Sequence, residues 1–324
     1  MAKALARYSF RNRPIFPPRK SGSLTSSLVL RTPWPLVGSS VSRKNIFAWR
    51  PYQKAGIEPA FWFGGVLVQY EVMKLITLNI AGGRFGQENL FAFFEKYKNK
   101  TDIFCLQEVL YKAPDLRGRM AGGKMMTLEG REAFQEIEKV LDDCYGYFDS
   151  HLEGWFGLAT FIKKEHEVIE RGEFFVHQHK TYSPGEELGG HARNIQYTTI
   201  RFPDGLKTII NFHGLWNGKG KEDSDARLSQ SDKILQFIGK LKNPFLITGD
   251  FNLRPDAESL NKLEDFGLRN LIKEYGVAST RTSIYTKPEK FADYTLVSEC
   301  IIVREFKVLP YEVSDHFPLF LNFG

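Results

Sequence analysis

The chain is short of cysteine: Cys105, Cys144 and Cys300 are the only three in 324 residues, far apart and with no CxxC pair. That excludes a disulfide framework and fits a reducing compartment. Long apolar runs are missing too. The best, Ala60 to Tyr70, contains two glycines and is too short to span a bilayer. No repeat recurs at solenoid periods. Gly82-Gly83-Arg84-Phe85-Gly86 has the wrong spacing for a dinucleotide fingerprint and lacks its acidic partner. What is left is ordinary: 42% hydrophobic and 25% charged residues, as in a soluble domain long enough for one large core or two smaller ones.

The net charge of +6 is unevenly spread. Residues 1–72 hold eleven Lys/Arg against Glu58 and Glu71, which leaves 33 basic and 36 acidic residues for the rest. The basic balance therefore belongs to the first segment and does not mark the remainder as a nucleic-acid binder. That segment also holds seven of the fifteen prolines and clustered serines, and no apolar period persists through it. Three readings stay open: a disordered extension or a start assigned too early, an Arg- and Ser-rich transit peptide, or a basic arm touching nucleic acid or anionic lipid. The folded domain is expected over residues 73–324, cytoplasmic unless the first segment directs organellar import, and monomeric.

From Met73 strands and helices alternate. Strands are expected at residues 74–80, 102–107, 145–151, 158–163, 167–176, 194–202, 208–212, 244–248, 292–297, 301–308 and 317–322. Helices are expected at 88–97, with Leu90, Phe91, Phe94 and Tyr97 on one face, at 130–142, and at 225–241 with Leu228, Leu235, Ile238 and Leu241 inward. This mixture is that of a layered α/β domain.

Polar residues recur where these strands stop. Asn79 ends the first, Glu108 the second, and His213 follows the strand at 208–212. Asp250 and Asn252 follow the strand at 244–248, Asp293 sits near a strand start, and Asp315-His316 precedes the last apolar run. Strand ends are where open α/β sheets place their sites, so one shared rim is expected. Oxygen donors with few histidines suit Mg²⁺ or Mn²⁺ better than zinc. His177, His179 and His191 could form a zinc site, but no carboxylate or cysteine lies at matching spacing.

Taken together, Leu78-Asn79, Leu106-Gln107-Glu108-Val109, Phe212-His213-Gly214-Leu215, Gly249-Asp250-Phe251-Asn252, Asp293-Tyr294 and Ser314-Asp315-His316 resemble the endonuclease/exonuclease/phosphatase superfamily, in its motif order and over residues 73–324. The resemblance implies a four-layer sandwich, two packed mixed β-sheets with helices on the outer faces. It implies metal-dependent hydrolysis of phosphate esters. Glu108 would bind the metal, with Asp315 as second ligand or close neighbour and Asn79 orienting that shell. Asp250 would position or deprotonate the attacking water, and Asn252 would hold the same water or a phosphate oxygen. His316 would contact the scissile phosphate with Asp293 fixing its tautomer, and His213 would bond a second phosphate oxygen.

Arg193, Trp216, Asn217 and Arg227 are further candidates for substrate contact. Arg119, Gly122, Gly123 and Lys124 lie in a segment where the family often grips substrate. The subfamily stays open. The Thr-Lys that follows the metal Glu in apurinic-site endonucleases is replaced by Val109-Leu110. The Gln that follows the strand-end His in sphingomyelinases is missing. Ile-Thr-Leu, with no Trp, precedes Asn79, unlike the tyrosyl-DNA phosphodiesterase branch. The expected partner is nucleic acid or another phosphodiester. The alternative is a lipid headgroup or small phosphorylated molecule.

Overall fold

The computed structural model describes residues 60–63, 66–69, 72–121, 124–125, 132–181, 190–218 and 220–324; residues 60–63, 66–69, 120, 121, 124 and 125 are described as backbone only. The chain divides into Met1–Ala55 and Gly56–Gly324, and every described element belongs to the second unit. Most of the 1–72 segment thus lies outside the described residues. Within it, Ala60–Phe63 (β1) and Val66–Gln69 (β2) pair as an antiparallel hairpin. Among the described residues no helix is long and apolar enough to cross a membrane.

After the hairpin come β3 (Met73–Asn79), α1 (Gln87–Tyr97), β4 (Ile103–Leu110), β5 (Met120–Ala121), β6 (Lys124–Met125) and α2 (Ala133–Val140). The middle is strand-rich: β7 (Cys144–Leu152), β8 (Phe156–Lys163), β9 (Val168–His177), β10 (Arg193–Phe202) and β11 (Gly205–His213). Then follow α3 (Asp225–Ile238), β12 (Phe245–Asp250), α4 (Glu258–Asp265), β13 (Arg269–Asn270), α5 (Leu271–Glu274), β14 (Asp293–Val297), β15 (Val303–Val308) and β16 (Leu319–Phe323).

Two six-stranded mixed sheets result, ordered β15-β16-β3-β4-β8-β7 and β13-β14-β12-β11-β10-β9. Each has one parallel pair at its centre, β3 with β4 and β11 with β12. Side-chain alternation sorts the core into layers. Leu75, Ile103 and Cys105 join the cluster that reaches the second sheet, α3 and α4. Ile76, Leu78, Phe104 and Leu106 pack under α1 and α2. The expected four-layer sandwich is what forms.

Two helix faces differ from the pattern reading. In α1 the buried residues are Leu90, Phe93 and Phe94, with Phe94 edge-on to Phe104 at 5.6 Å. In α3 the buried residues are Arg227, Gln230, Ser231, Ile234 and Ile238, while Leu235 and Leu241 of the expected stripe pack half-buried against the same core. The reason is polar: Gln230 Oε1 accepts from Leu215 N–H at 3.2 Å, and Ser231 Oγ donates to Ser259 O at 2.7 Å.

Between the sheets runs a buried polar seam. Gln107 Nε2 donates to Asn211 Oδ1 at 2.7 Å and to Thr77 Oγ1 at 3.1 Å, and Thr160 Oγ1 donates to Gln196 Oε1 at 2.6 Å. Asn211 Nδ2 reaches the carbonyls of Leu106 and Ala159, each at 3.1 Å. Apolar faces slide; hydrogen-bonded buried amides fix one register of sheet on sheet. This seam lies one residue before Glu108 in β4 and two before His213 at the end of β11.

Candidate active site

Strand pairing does most of the assembly. The parallel register of β11 and β12 sets His213 opposite Asp250, and the antiparallel register of β12 and β14 sets Asp250 opposite Asp293. Two glycines make the close approach possible. A Cβ on Gly249, at φ 137°, would lie 2.1 Å from Phe212 O, and one on Gly214 would lie 2.1 Å from Phe251 O. No side chain fits either gap.

In the other sheet Glu108 does not end a strand, as the sequence reading has it. It lies inside β4, at a bulge where the pairing with β8 slips between Leu106 and Val109. Its φ is 55°, a left-handed conformation costly for a residue with a Cβ. The extra residue breaks the alternation and re-aims the carboxylate, a common use of bulges beside sites.

Asn79 ties the two sheets together. Its Nδ2 donates to Glu108 Oε1 at 3.1 Å and to Asp250 Oδ2 at 3.0 Å. Its orientation is fixed because Ala81 N–H, which can only donate, bonds Oδ1 at 2.9 Å. His213 Nε2 stands 3.9 Å from Glu108 Oε1 and 3.8 Å from Asp250 Oδ2. The other Asp250 oxygen accepts from Asn252 N–H at 2.8 Å, and Asn252 holds φ 53° while Nδ2 donates to Gly214 O at 3.3 Å.

His316 arrives from the loop before β16. An isolated bridge to Arg281 anchors that loop, reinforced by Phe317 N–H to Thr280 O at 2.9 Å and Thr282 Oγ1 to Ser314 O at 2.8 Å. His316 Nδ1 donates to the Asp293 carboxylate at 2.8 and 2.9 Å, which sets the tautomer, and Nε2 lies 3.6 Å from Asp250 Oδ2. Arg281 Nη1 reaches His316 Nε2 at 2.5 Å and Asp315 Oδ2 at 3.0 Å.

Burial pushes the His213 imidazolium down to about 3, aided by the Arg193 charge, so the ring is uncharged at neutral pH. For Asp250, burial pushes up and is outweighed by the His316 and His213 rings and by Lys221 and Arg281; its carboxyl sits well below the usual range.

The donor set fits a hard divalent cation. Oxygens of Glu108 and Asp250 share one amide, and ligand atoms of Glu108, His213 and Asp250 lie within 4.8 Å of one another, as do those of Asp250, Asp293 and His316. Asp315, expected as second metal ligand or its close neighbour, stands beside Arg281 and 3.8 Å from Arg84 Nη2. The carboxylate that shares Asn79 and His213 with Glu108 is Asp250.

All eight rim residues therefore converge, and the arginines offered as substrate contacts do not join them. Arg193 is 1% exposed and donates to the carbonyls of Gly214, Ala192 and His191. Arg227 is buried and donates to the carbonyls of Leu215, Gly220 and Glu222. Both brace the loop after His213, because a fork of N–H donors satisfies loop carbonyls that no strand pairs. On that loop Trp216 and Asn217 are half-buried. Arg119 pairs with Glu153 at 3.1 Å, while Gly122 and Gly123 lie outside the described residues, as does the side chain of Lys124. Among the described residues His177 and His179 join no group of three metal-type ligands, and His191 stacks on His151 at 5.2 Å. Arg281 and Lys221 are the residues that sequence reasoning missed. Both lie on loops without period, and only the fold brings them here.

The Endonuclease/Exonuclease/phosphatase family profile matches residues 76–316. No curated protein matches the chain by sequence. Solved structures share the fold. An endonuclease/exonuclease/phosphatase protein from Bacteroides vulgatus aligns at TM-score 0.59 and 16% identity over 78% of this chain and 99% of its own. A mannosyl-6-phosphatase from Bacteroides thetaiotaomicron aligns at 0.57, 16%, 78% and 99%. D. rerio TDP2 complexed with single-strand DNA product aligns at 0.56, 16%, 78% and 99%.

Proposed function

The chain belongs to the endonuclease/exonuclease/phosphatase family, and from that premise we propose a divalent-metal-dependent hydrolase that cleaves phosphodiester bonds in nucleic acid. One observation carries the reading: Asp250 Oδ2 lies 3.0 Å from Asn79 Nδ2, 3.8 Å from His213 Nε2 and 3.6 Å from His316 Nε2, with Glu108 on the same amide. Acid, base and phosphate-facing donors meet at one point.

Hydrolysis builds negative charge on an already anionic ester, so the site needs donors aimed at that charge. His316 faces the phosphate through Nε2, and Asp293 stabilises the ring when it carries a second proton. Asp250, one oxygen pinned by Asn252 N–H, accepts a hydrogen bond from the attacking water and positions it. His213 and Asn252 hold phosphate oxygens or that water. Mg²⁺ or Mn²⁺ held by Glu108 and Asp250, with Asn79 orienting both, would supply Lewis-acid charge at the phosphoryl oxygen when bound.

Nucleic acid as substrate is supported by the likeness in fold to D. rerio TDP2 with its single-strand DNA product. A second reading, phosphatase action on a small phosphorylated molecule or lipid headgroup, is favoured by a cleft of about 500 Å³ beside Lys221, lined also by Arg254 and Lys290 and by Glu222 and Glu289. A panel of plasmid DNA, RNA, sphingomyelin and inositol phosphates with Mg²⁺, run beside Glu108→Gln, tests both. Nuclease action that Glu108→Gln removes is the expected result. No hydrolysis of any phosphoester would overturn the proposal.

A further inference from the structure

Two buried cations stand on one side of the site, and the chemistry above gives neither a task. Lys221 follows His213 on the loop before α3 and is 5% exposed. Its carbonyl accepts from Arg254 N–H at 3.2 Å, which pins the loop to the segment after β12. Its ammonium has no hydrogen-bond partner among the described residues. Arg281 is 8% exposed, and its Nε likewise has no partner among the described residues, although Nη1 is engaged. One ring joins the two: Tyr285 has the Arg281 guanidinium 4.1 Å from its centroid and the Lys221 ammonium at 5.8 Å.

A buried ammonium without a partner is costly, and folds seldom keep one unless it meets an anion. The carboxylates of Asp250, Asp293 and Glu289 act on Lys221 electrostatically, but none is close enough to pair with it. The apolar alternative is also weak. Lysines that only pack let the head escape to water, and this head stays inside.

We infer that Lys221 and Arg281 form a second wall of the site and bind oxygens of the substrate's phosphate group. The inference rests on the phosphoesterase reading and deepens it. The ligand is a phosphate oxyanion, and the cleft beside Lys221, walled by Pro255, Pro288 and Phe291, takes the group that the phosphate carries. Its volume of about 500 Å³ suits a moiety of nucleotide size. Arg281 already touches His316 Nε2, so a phosphate facing that ring meets the guanidinium as well. Burial pushes the Lys221 ammonium down to about 8, which leaves it charged at neutral pH.

Inorganic phosphate is the probe. Calorimetric titration with Mg²⁺ present should show binding to the wild-type chain and about tenfold or greater weakening in Lys221→Met and Arg281→Met, the loss expected for a charge-assisted bond. Lys221→Arg should keep most of the affinity. If Lys221→Met melts early, Lys221→Gln serves in its place. Unchanged phosphate affinity in a folded Lys221 variant, or no phosphate binding by the wild type, overturns the inference. The two failures separate cleanly. A chain that hydrolyses nothing yet loses phosphate with Lys221 refutes only the proposed reaction. A chain whose hydrolysis needs Glu108 but whose phosphate affinity ignores Lys221 refutes only the wall.

Discussion

The Asp293 carboxylate holds His316 Nδ1 at 2.8 Å across 23 residues of chain, and both side chains are buried. The bond costs a charge its water and returns one thing that the site needs: a ring fixed in tautomer and direction. Asp293→Asn should keep the shape and lose that control, since an amide can present its NH₂ to Nδ1. Turnover should fall by roughly 10² to 10⁴, as for a positioned acid–base group, with Mg²⁺ affinity unchanged. Initial rates across a Mg²⁺ titration measure both. A variant that turns over normally would mean that the ring needs no partner.

Acid should weaken the fold before it reaches the carboxylates. Burial holds His213 down to about 3 and pushes His151 well below the ordinary 6.5. The unfolded chain therefore binds protons below pH 6.5 that the folded chain refuses. Stability is full above that value and falls as pH drops, by roughly 1.4 kcal/mol per pH unit for each such histidine until its folded pKa is reached. Asp250, whose folded carboxyl is depressed, adds loss in the same direction only below about pH 4. Melting temperature at pH 7, 6 and 5 checks the sign. His151→Gln should flatten the slope, and an unchanged slope would remove His151 from the account.

Much of this site is legible in the sequence. Asn79, His213, Asp250, Asn252, Asp293, Asp315 and His316 stand at or just beyond strand ends, and a strand end is a feature that alternation reveals. Glu108 was legible as a rim residue but not in its setting, because a bulge depends on how the neighbouring strand is matched. Arg193 and Arg227 were misjudged for a related reason. An arginine in a sequence advertises charge, whereas here its N–H fork is used on loop carbonyls that only the folded chain leaves unpaired. Lys221 and Arg281 gave no signal, since their meaning is proximity to Tyr285 and His316. The stripe expected on α3 was incomplete: Ile238, Leu235 and Leu241 face the core, but a buried glutamine and serine share that face through hydrogen bonds no apolar pattern reveals.

Gly249 offers a test of how the strands are brought together. Its φ is 137°, and a Cβ there would lie 2.1 Å from Phe212 O, which leaves no room for a methyl group. Gly249→Ala must push β11 and β12 apart where His213 and Asp250 face each other. A loss of roughly 2–4 kcal/mol is expected from strain of this kind. Activity should fall further than stability alone accounts for, even where the variant is fully folded. Chemical denaturation paired with rates below the melting transition separates the two effects. Wild-type activity in a destabilised variant would show that this alignment is not needed.

The last test sets the metal and the imidazole apart. Glu108→Gln keeps shape and hydrogen-bonding capacity but removes the charge that holds a hard cation. It should weaken apparent Mg²⁺ affinity, so that raising the metal restores part of the rate. His316→Ala leaves Glu108, Asn79 and Asp250 in place, hydrogen-bonded to one another through the Asn79 amide. It should bind Mg²⁺ almost normally yet lose roughly 10² to 10⁴ in turnover. Excess metal can answer a lost ligand but cannot stand in for an imidazole aimed at phosphate. Removing His316 also frees Arg281 from the contact with Nε2, so some phosphate affinity should survive in that variant. Rate against Mg²⁺ for the two variants gives the answer. If metal rescues His316→Ala and not Glu108→Gln, the two roles are reversed. If neither substitution slows phosphoester hydrolysis, the chemistry occurs elsewhere on the chain.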